Sequence, residues 1–329
     1  MRGLRDSVRG RLQEVLHRRP GVSRVGHRLG GLDGAMRLRE PTAADLRPEL
    51  LGTAFRSPIL LASGTAGFGL ELLRMDHLDG VGGLVSKATT LKPREGNPPP
   101  RIAETRFGLL NAIGLANPGV DSVLSDILPR LSGLPCPLLV NVAGSTEQEY
   151  GLVVERLEES DLPLGYEINV SCPNVAEGGM LFGADPAAVE RISRRVADRT
   201  RKPFSVKLTP NEGSIVESAA AAEEGGADAV TVCNTFLGMS IDWREAKPQL
   251  SNLTGGYTSP TLLPLVVARV YSVSGSVQIP VIASGGVGRA EDVLELLSAG
   301  ARLVEVGTLL LRSPDDVCRL TKEMEGLLE

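Results

Sequence analysis

An eight-stranded α/β barrel is the fold that this 329-residue chain predicts, and three features carry the expectation. Short apolar runs, many of them β-branched, alternate with segments of helical periodicity from Phe55 onward. That alternation implies parallel strands joined by right-handed crossovers. Eight such units fit into about 270 residues, which suits a closed (β/α)8 or TIM barrel better than an open doubly wound sheet.

The strands are expected at Ile59–Ser63, Gly83–Ala88, Leu138–Ala143, Tyr166–Ser171, Phe204–Leu208, Ala229–Thr235, Pro280–Gly285 and Leu303–Gly307. Helices are expected at Thr146–Ser160, Pro186–Arg199, Ile215–Gly225, Leu262–Ser272, Arg289–Gly300 and Ser313–Leu328. Two connections exceed a simple loop: residues 89–118 after strand 2 and residues 236–259 after strand 6. Long ordered insertions usually carry function. Residues 1–50 form an arginine-rich N-terminal extension, and residues 51–329 form the barrel. Within the extension, Leu4, Val8, Leu12, Val15 and Leu16 recur at helical spacing up to Pro20 and Gly21. A helix packed on the barrel's outside, or a frayed tail, is favoured there over a membrane-surface or partner-docking helix or a transit-like leader.

Composition narrows the function. The formal net charge of −5 argues against a nucleic-acid partner. The four cysteines, Cys136, Cys172, Cys233 and Cys318, include no Cys-x-x-Cys pair. Neither a zinc nor an iron–sulfur site is expected in the chain, and no other metal is called; a reducing, cytoplasmic setting is. No apolar run reaches the roughly 18 residues of a membrane-spanning helix. Histidine occurs only at 17, 27 and 77, so acid–base chemistry is expected from another residue type.

In a barrel of this kind the chemistry lies at the C-terminal ends of the strands. After strand 4, Pro173 stops pairing and leaves the Cys172 thiol between the amides of Asn169 and Asn174. Gly285-Gly286 and Gly307-Thr308, after strands 7 and 8, stand where this fold usually binds phosphate. Lys87 and Lys207 point into the mouth, where a buried ammonium needs an anionic or electron-rich partner such as a flavin.

Several motifs carry a resemblance. Asn169-Val170-Ser171-Cys172-Pro173-Asn174 resembles the Asn-x-Ser-Cys-Pro-Asn signature of class 1 dihydroorotate dehydrogenases. Ser86-Lys87-Ala88-Thr89-Thr90, the run from Gly96 to Arg101 and the run from Asn111 to Gly119 also resemble that family, in its order. The resemblance spans about residues 55–328 and leaves out the arginine-rich extension. It implies an FMN-containing barrel that oxidises dihydroorotate to orotate in pyrimidine synthesis. Cys172 would be the base that takes the substrate's C5 proton, while the C6 hydride passes to flavin N5. Lys87, Asn111, Ala112, Ile113, Gly114, Leu115, Asn169, Asn174, Asn234 and Thr235 would bind the substrate. Ser63, Lys87, Ala88, Asn141, Asn169, Lys207, Cys233, Ser259, Gly285, Gly286, Gly307 and Thr308 would bind FMN. Ser259 departs from the family, which usually has glycine there. Residues 175–184 would be a glycine-hinged lid over the base.

The wording of the motifs is closest to the NAD-linked class 1B catalytic subunit. That class works with a second subunit carrying FAD and a [2Fe–2S] cluster, so a homodimer or a heterotetramer is expected. Quinone-linked members carry serine in place of Cys172. Fumarate-linked enzymes, a non-catalytic FMN scaffold and tRNA-dihydrouridine synthases are the other readings. The last would need a basic RNA face, which the acidic balance does not provide.

Overall fold

The computed structural model describes residues 38–75, 77–171 and 182–329. Eight parallel strands close into a barrel in sequence order: β1 (Ile59–Leu61), β2 (Gly83–Val85), β3 (Leu138–Val142), β4 (Gly165–Asn169), β5 (Phe204–Lys207), β6 (Ala229–Val232), β7 (Val281–Ser284) and β8 (Ala301–Val306). Each matches an expected run, with shifted ends. Strand β2 stops at Val85 because the Lys87 N–H leaves the ladder and donates to the Gly67 carbonyl at 2.7 Å. The glycine-containing turn after β1 is thereby tied to the end of β2.

The helices are α1 (Leu70–Met75), α2 (Glu147–Leu157), α3 (Pro186–Ala197), α4 (Ile215–Glu224), α5 (Leu263–Ser274), α6 (Ala290–Ser298), α7 (Thr308–Arg312) and α8 (Pro314–Leu328). Between β2 and β3 the crossover is an irregular helical stretch, 120–131, containing one wide turn at Val123–Ile127. Four helices begin where a short polar side chain accepts an N–H of the first turn: Thr146, Asp185, Ser214 and Ser313. These caps set the starts one residue inside some of the expected ranges.

The period of two along the strands sorts side chains between two cores. Tyr166, Ile168, Val206 and Val304 face the helices in the larger core. Leu60, Val85, Leu139, Ala229, Ile282 and Leu303 meet inside the barrel and form an apolar floor. Leu50 and Phe55 seal that floor from below. Leu46 and Leu50 belong by sequence to the N-terminal extension, yet both are buried with the barrel, so its packing begins before residue 51. The amphipathic helix expected over residues 4–16 lies outside the described residues.

The two long insertions form a single structure. The hairpin Ile102–Glu104/Leu109–Asn111 comes from the first and the strands Phe236–Met239 and Thr254–Thr258 from the second. They pair into one antiparallel sheet through the register Asn111↔Gly256. Among the described residues no helix is long and apolar enough to cross a membrane.

Candidate active site

One pleat above the floor, the barrel interior turns polar on most strands. Leu139 is followed by Asn141, Gly165 by Glu167, Ala229 by Thr231, Ile282 by Ser284 and Leu303 by Glu305. These side chains and Lys207 form a buried throat beneath the mouth. Lys207 Nζ donates to Glu305 Oε2 at 2.5 Å and to Glu167 Oε1 at 3.3 Å. Asn141 Nδ2 donates to Glu167 Oε1 at 2.7 Å, and Ser284 Oγ to Glu305 Oε2 at 2.9 Å. Both glutamates are at most 1 % exposed, and Lys207 is 5 % exposed.

Burial disfavours the charged form of all three groups, and their neighbours decide the outcome. For Lys207, burial is outweighed by the two carboxylates, which hold its ammonium above the usual lysine range. For Glu167, burial is opposed by Lys207 and by hydrogen bonds that include Asn141, and its carboxyl lies below the usual range. Glu305 goes the other way: burial and the Glu167 charge raise it well above an ordinary carboxyl. Neither glutamate was singled out in the sequence. Stepping back by twos from Asn169 and Gly307 along the inward face would have found both.

At the mouth above the throat, Asn169 and Lys207 are register partners on β4 and β5. Asn169 Oδ1 accepts from the Ser171 N–H at 3.1 Å and from Asn234 Nδ2 at 3.2 Å. Its carbonyl accepts from the Tyr150 hydroxyl at 2.9 Å, so a helix side chain braces the strand end. Asn234 Oδ1 accepts from the Thr235 N–H at 2.8 Å. The inter-insertion sheet adds Asn111, whose Nδ2 donates to the Gly256 carbonyl at 3.2 Å. A side chain at Gly256 would strike Thr235 Oγ1, so glycine there lets the sheet lie against Thr235. Asn111, Asn169, Asn234 and Thr235 are thus brought to one side of the mouth.

Lys87 is half-buried, and its ammonium has no hydrogen-bond or ion-pair partner among the described residues. Burial and the positive charge of Arg101 lower its affinity for the proton. Ala88 packs with Ala143 and Leu115. The segment 112–115 is held from behind by Asn97, whose Nδ2 donates to the Ala112 carbonyl at 3.0 Å and whose N–H donates to Ile113 at 3.1 Å. Gly114, at φ +72°, allows that close approach. Asn117, absent from the expected set, is buried and fixes the same loop through Thr90, Leu115 and Gly119.

Across the mouth, Gly285 and Gly286 have φ of 114° and 84°, the left-handed region that favours glycine. Among the described residues no acceptor takes the N–H of Gly285, Gly286 or Gly307. Thr308 opens α7, so its N–H is also unpaired within the helix. Ser63 lies in the turn after β1 that faces this end of β8. Ser259 is buried. Its Oγ donates to the Phe107 carbonyl at 2.6 Å and accepts from the Thr261 N–H at 3.1 Å, which joins the insertions to α5. Cys233 is buried at the end of β6, and burial pushes its thiol up to about 12 against the opposing pull of Arg269 and Lys207.

Cys172, Asn174 and most of the expected lid lie outside the described residues. Of the lid, 182–184 form a single turn in which buried Phe182 packs edge-on against Tyr150, ring centres 5.9 Å apart. Among the described residues no cluster of histidine, cysteine or acidic side chains could hold a metal.

The donor set fits FMN. Backbone N–H groups after β7 and β8, without an acceptor among the described residues, match a phosphate. The buried but unsatisfied Asn141 Oδ1, with Lys207 beside it, matches a polar ring edge that both donates and accepts. Fold and site together define an α/β barrel with backbone donors suited to a phosphate at one wall of its mouth and side-chain amides suited to a polar planar molecule at the other.

Comparison with known proteins gives the family. The dihydroorotate dehydrogenase family model matches residues 45–328. A Geobacter sp. (strain M21) protein named dihydroorotate dehydrogenase B (NAD(+)), catalytic subunit, is 42% identical over 284 residues, covering 86% of this chain and 93% of the relative. Its Bacillus pumilus (strain SAFR-032) namesake is 45% identical over 283 residues, covering 86% of this chain and 91% of the relative. The chain belongs to the dihydroorotate dehydrogenase family, as its motifs predicted.

Proposed function

We propose that this chain oxidises dihydroorotate to orotate in pyrimidine (UMP) biosynthesis, using FMN in the barrel mouth and passing electrons through a partner subunit to NAD. Family membership and the relatives' names support the reaction. The observation that carries the site reading is the buried, cationic Lys207 beneath a mouth whose rim bears the N–H groups of Gly285, Gly286 and Gly307, which have no acceptor among the described residues.

Bound FMN would supply a two-electron acceptor for the substrate's hydride. Gly285, Gly286, Gly307 and Thr308 would hold its phosphate, and Asn141 and Lys207 its polar ring edge. Lys87, an ammonium without a partner among the described residues, suits the substrate carboxylate. Asn111, Asn169, Asn174 and Asn234 provide donors and acceptors for the ring amides. Cys172 Sγ takes the C5 proton. A free thiol titrates near 8.5, so the rate of this step rises with pH through the alkaline range.

The relatives are named as catalytic subunits, which supports a second subunit that accepts the electrons. FAD and a [2Fe–2S] cluster in that partner would complete the path to NAD. The test is rapid anaerobic mixing of the FMN-loaded chain with dihydroorotate. Cys172→Ala should keep FMN and slow flavin reduction by about 10²- to 10⁴-fold. Reduction at the wild-type rate in Cys172→Ala removes Cys172 as the base.

A further inference from the structure

Beneath the mouth, two carboxylates share one ammonium where water does not reach. Glu167 and Glu305 both accept from Lys207 Nζ, at 3.3 and 2.5 Å, and both are at most 1 % exposed. The remaining neighbours that bond them are neutral: Asn141 on β3 and Ser284 on β7. With both glutamates ionised the throat would hold an excess negative charge in a low-dielectric interior, an arrangement that carboxylate pairs avoid by keeping a proton. The hydrogen-bond inventory points the same way. Glu167 Oε2 and Glu305 Oε1 are buried and, with both groups ionised, have no hydrogen-bond partner among the described residues. The two carboxyls are hydrogen-bond neighbours, so one proton kept between them turns one of the pair from acceptor into donor.

We propose that Glu305 is a positioning residue for Lys207: a neutral carboxylic acid that donates its proton to Glu167 and keeps the throat electrically neutral. The contacts divide the roles. Glu167 has Asn141 as a further donor and is the anion; Glu305 is the acid, and burial and the adjacent Glu167 charge oppose its ionisation. Lys207 remains a cation beneath the mouth. Resting on the FMN reading above, Glu305 thus sets the charge that Lys207 presents to the flavin without touching the substrate. An ionised Glu305 would oppose the negative charge that a flavin gains on reduction.

The experiment is infrared spectroscopy of the full-length protein at pH 7, where solvent-exposed carboxyls are ionised and a carboxylic-acid carbonyl band reports a buried neutral acid. The wild type should show the band, and Glu305→Gln should lose it. Glu167→Gln should lose it as well, because Glu305 then ionises to become the counter-charge of Lys207. Absence of the band in the wild type, or its persistence in either variant, overturns the proposal. FMN titration gives the second reading. Glu305→Gln should bind FMN within about threefold of wild type, and the double variant Glu167→Gln/Glu305→Gln at least about tenfold more weakly, its lysine then having neither the Glu167 anion nor an ionisable Glu305 to replace it. A loss in Glu305→Gln as large as in the double variant also overturns it. Failure of the wild type to bind FMN would strike the FMN reading and leave the infrared result standing.

Discussion

Replacing Lys207 by methionine tests the charge arrangement of the throat. The substitution keeps an unbranched apolar stem in place and removes the ammonium that both glutamates touch. Glu167 would then be a buried anion held by two neutral donors, Asn141 and the Glu305 acid, and the lower-energy course is to take up a proton. Against an unfolded pKa of about 4.3, that uptake costs about 1.36 kcal/mol per pH unit, or about 3.7 kcal/mol at pH 7 and about 1 kcal/mol at pH 5. Glu305 is raised in the wild type already, so its own cost is common to both proteins. The sign follows from linkage: a carboxyl held low in the fold contributes stability above its unfolded pKa, and that contribution is lost on acidification. Lys207→Met should therefore be destabilised by about 3–4 kcal/mol near pH 7, in the range for breaking a buried ion pair, and approach wild type near pH 5. Urea denaturation of both proteins at pH 5, 6 and 7 measures it. A pH-independent difference would refute the assignment of Glu167 as the paired anion.

Further predictions concern other walls of the site. Glu305→Gln should gain stability over wild type as pH rises above about 4.3, because the wild type must keep an acid protonated that its unfolded chain releases; parallel thermal melts from pH 4 to 8 check the slope. In Gly286→Ala the new methyl meets the Leu263 Cα at 2.6 Å in a φ +84° backbone, so a loss of about 1–3 kcal/mol and weaker FMN retention are expected by calorimetry. Burial pushes the Cys136 thiol up to about 11 and that of Cys233 up to about 12. Neither should be alkylated by iodoacetamide at pH 7 in the native protein, as read by peptide mapping. Lys87→Met should raise the substrate Kd by about 10- to 100-fold, the loss of a hydrogen bond to a charged group, with FMN still bound.

All eight barrel strands could be read in the sequence because each is a short apolar run closed by a turn signal, and the barrel needs nothing more than their order. The joint sheet of the insertions could not, because the pairing of Asn111 with Gly256 is a tertiary event that leaves no local pattern at either position. Motif resemblance selected residues that the structure gathers around the mouth, Lys87, Asn111, Asn169 and Asn234 among them. It passed over Glu167 and Glu305, which lie one layer deeper where strand-end reasoning does not look. The bonds of the Ser259 hydroxyl to Phe107 and Thr261 were likewise not legible, because they are set by how the insertion meets α5.

The central claim is that this mouth joins FMN to dihydroorotate, and an anaerobic titration of the FMN-loaded chain tests it most directly. One equivalent of dihydroorotate per bound flavin should bleach the oxidised spectrum and yield one orotate. A flavin that stays oxidised in excess dihydroorotate would contradict the account.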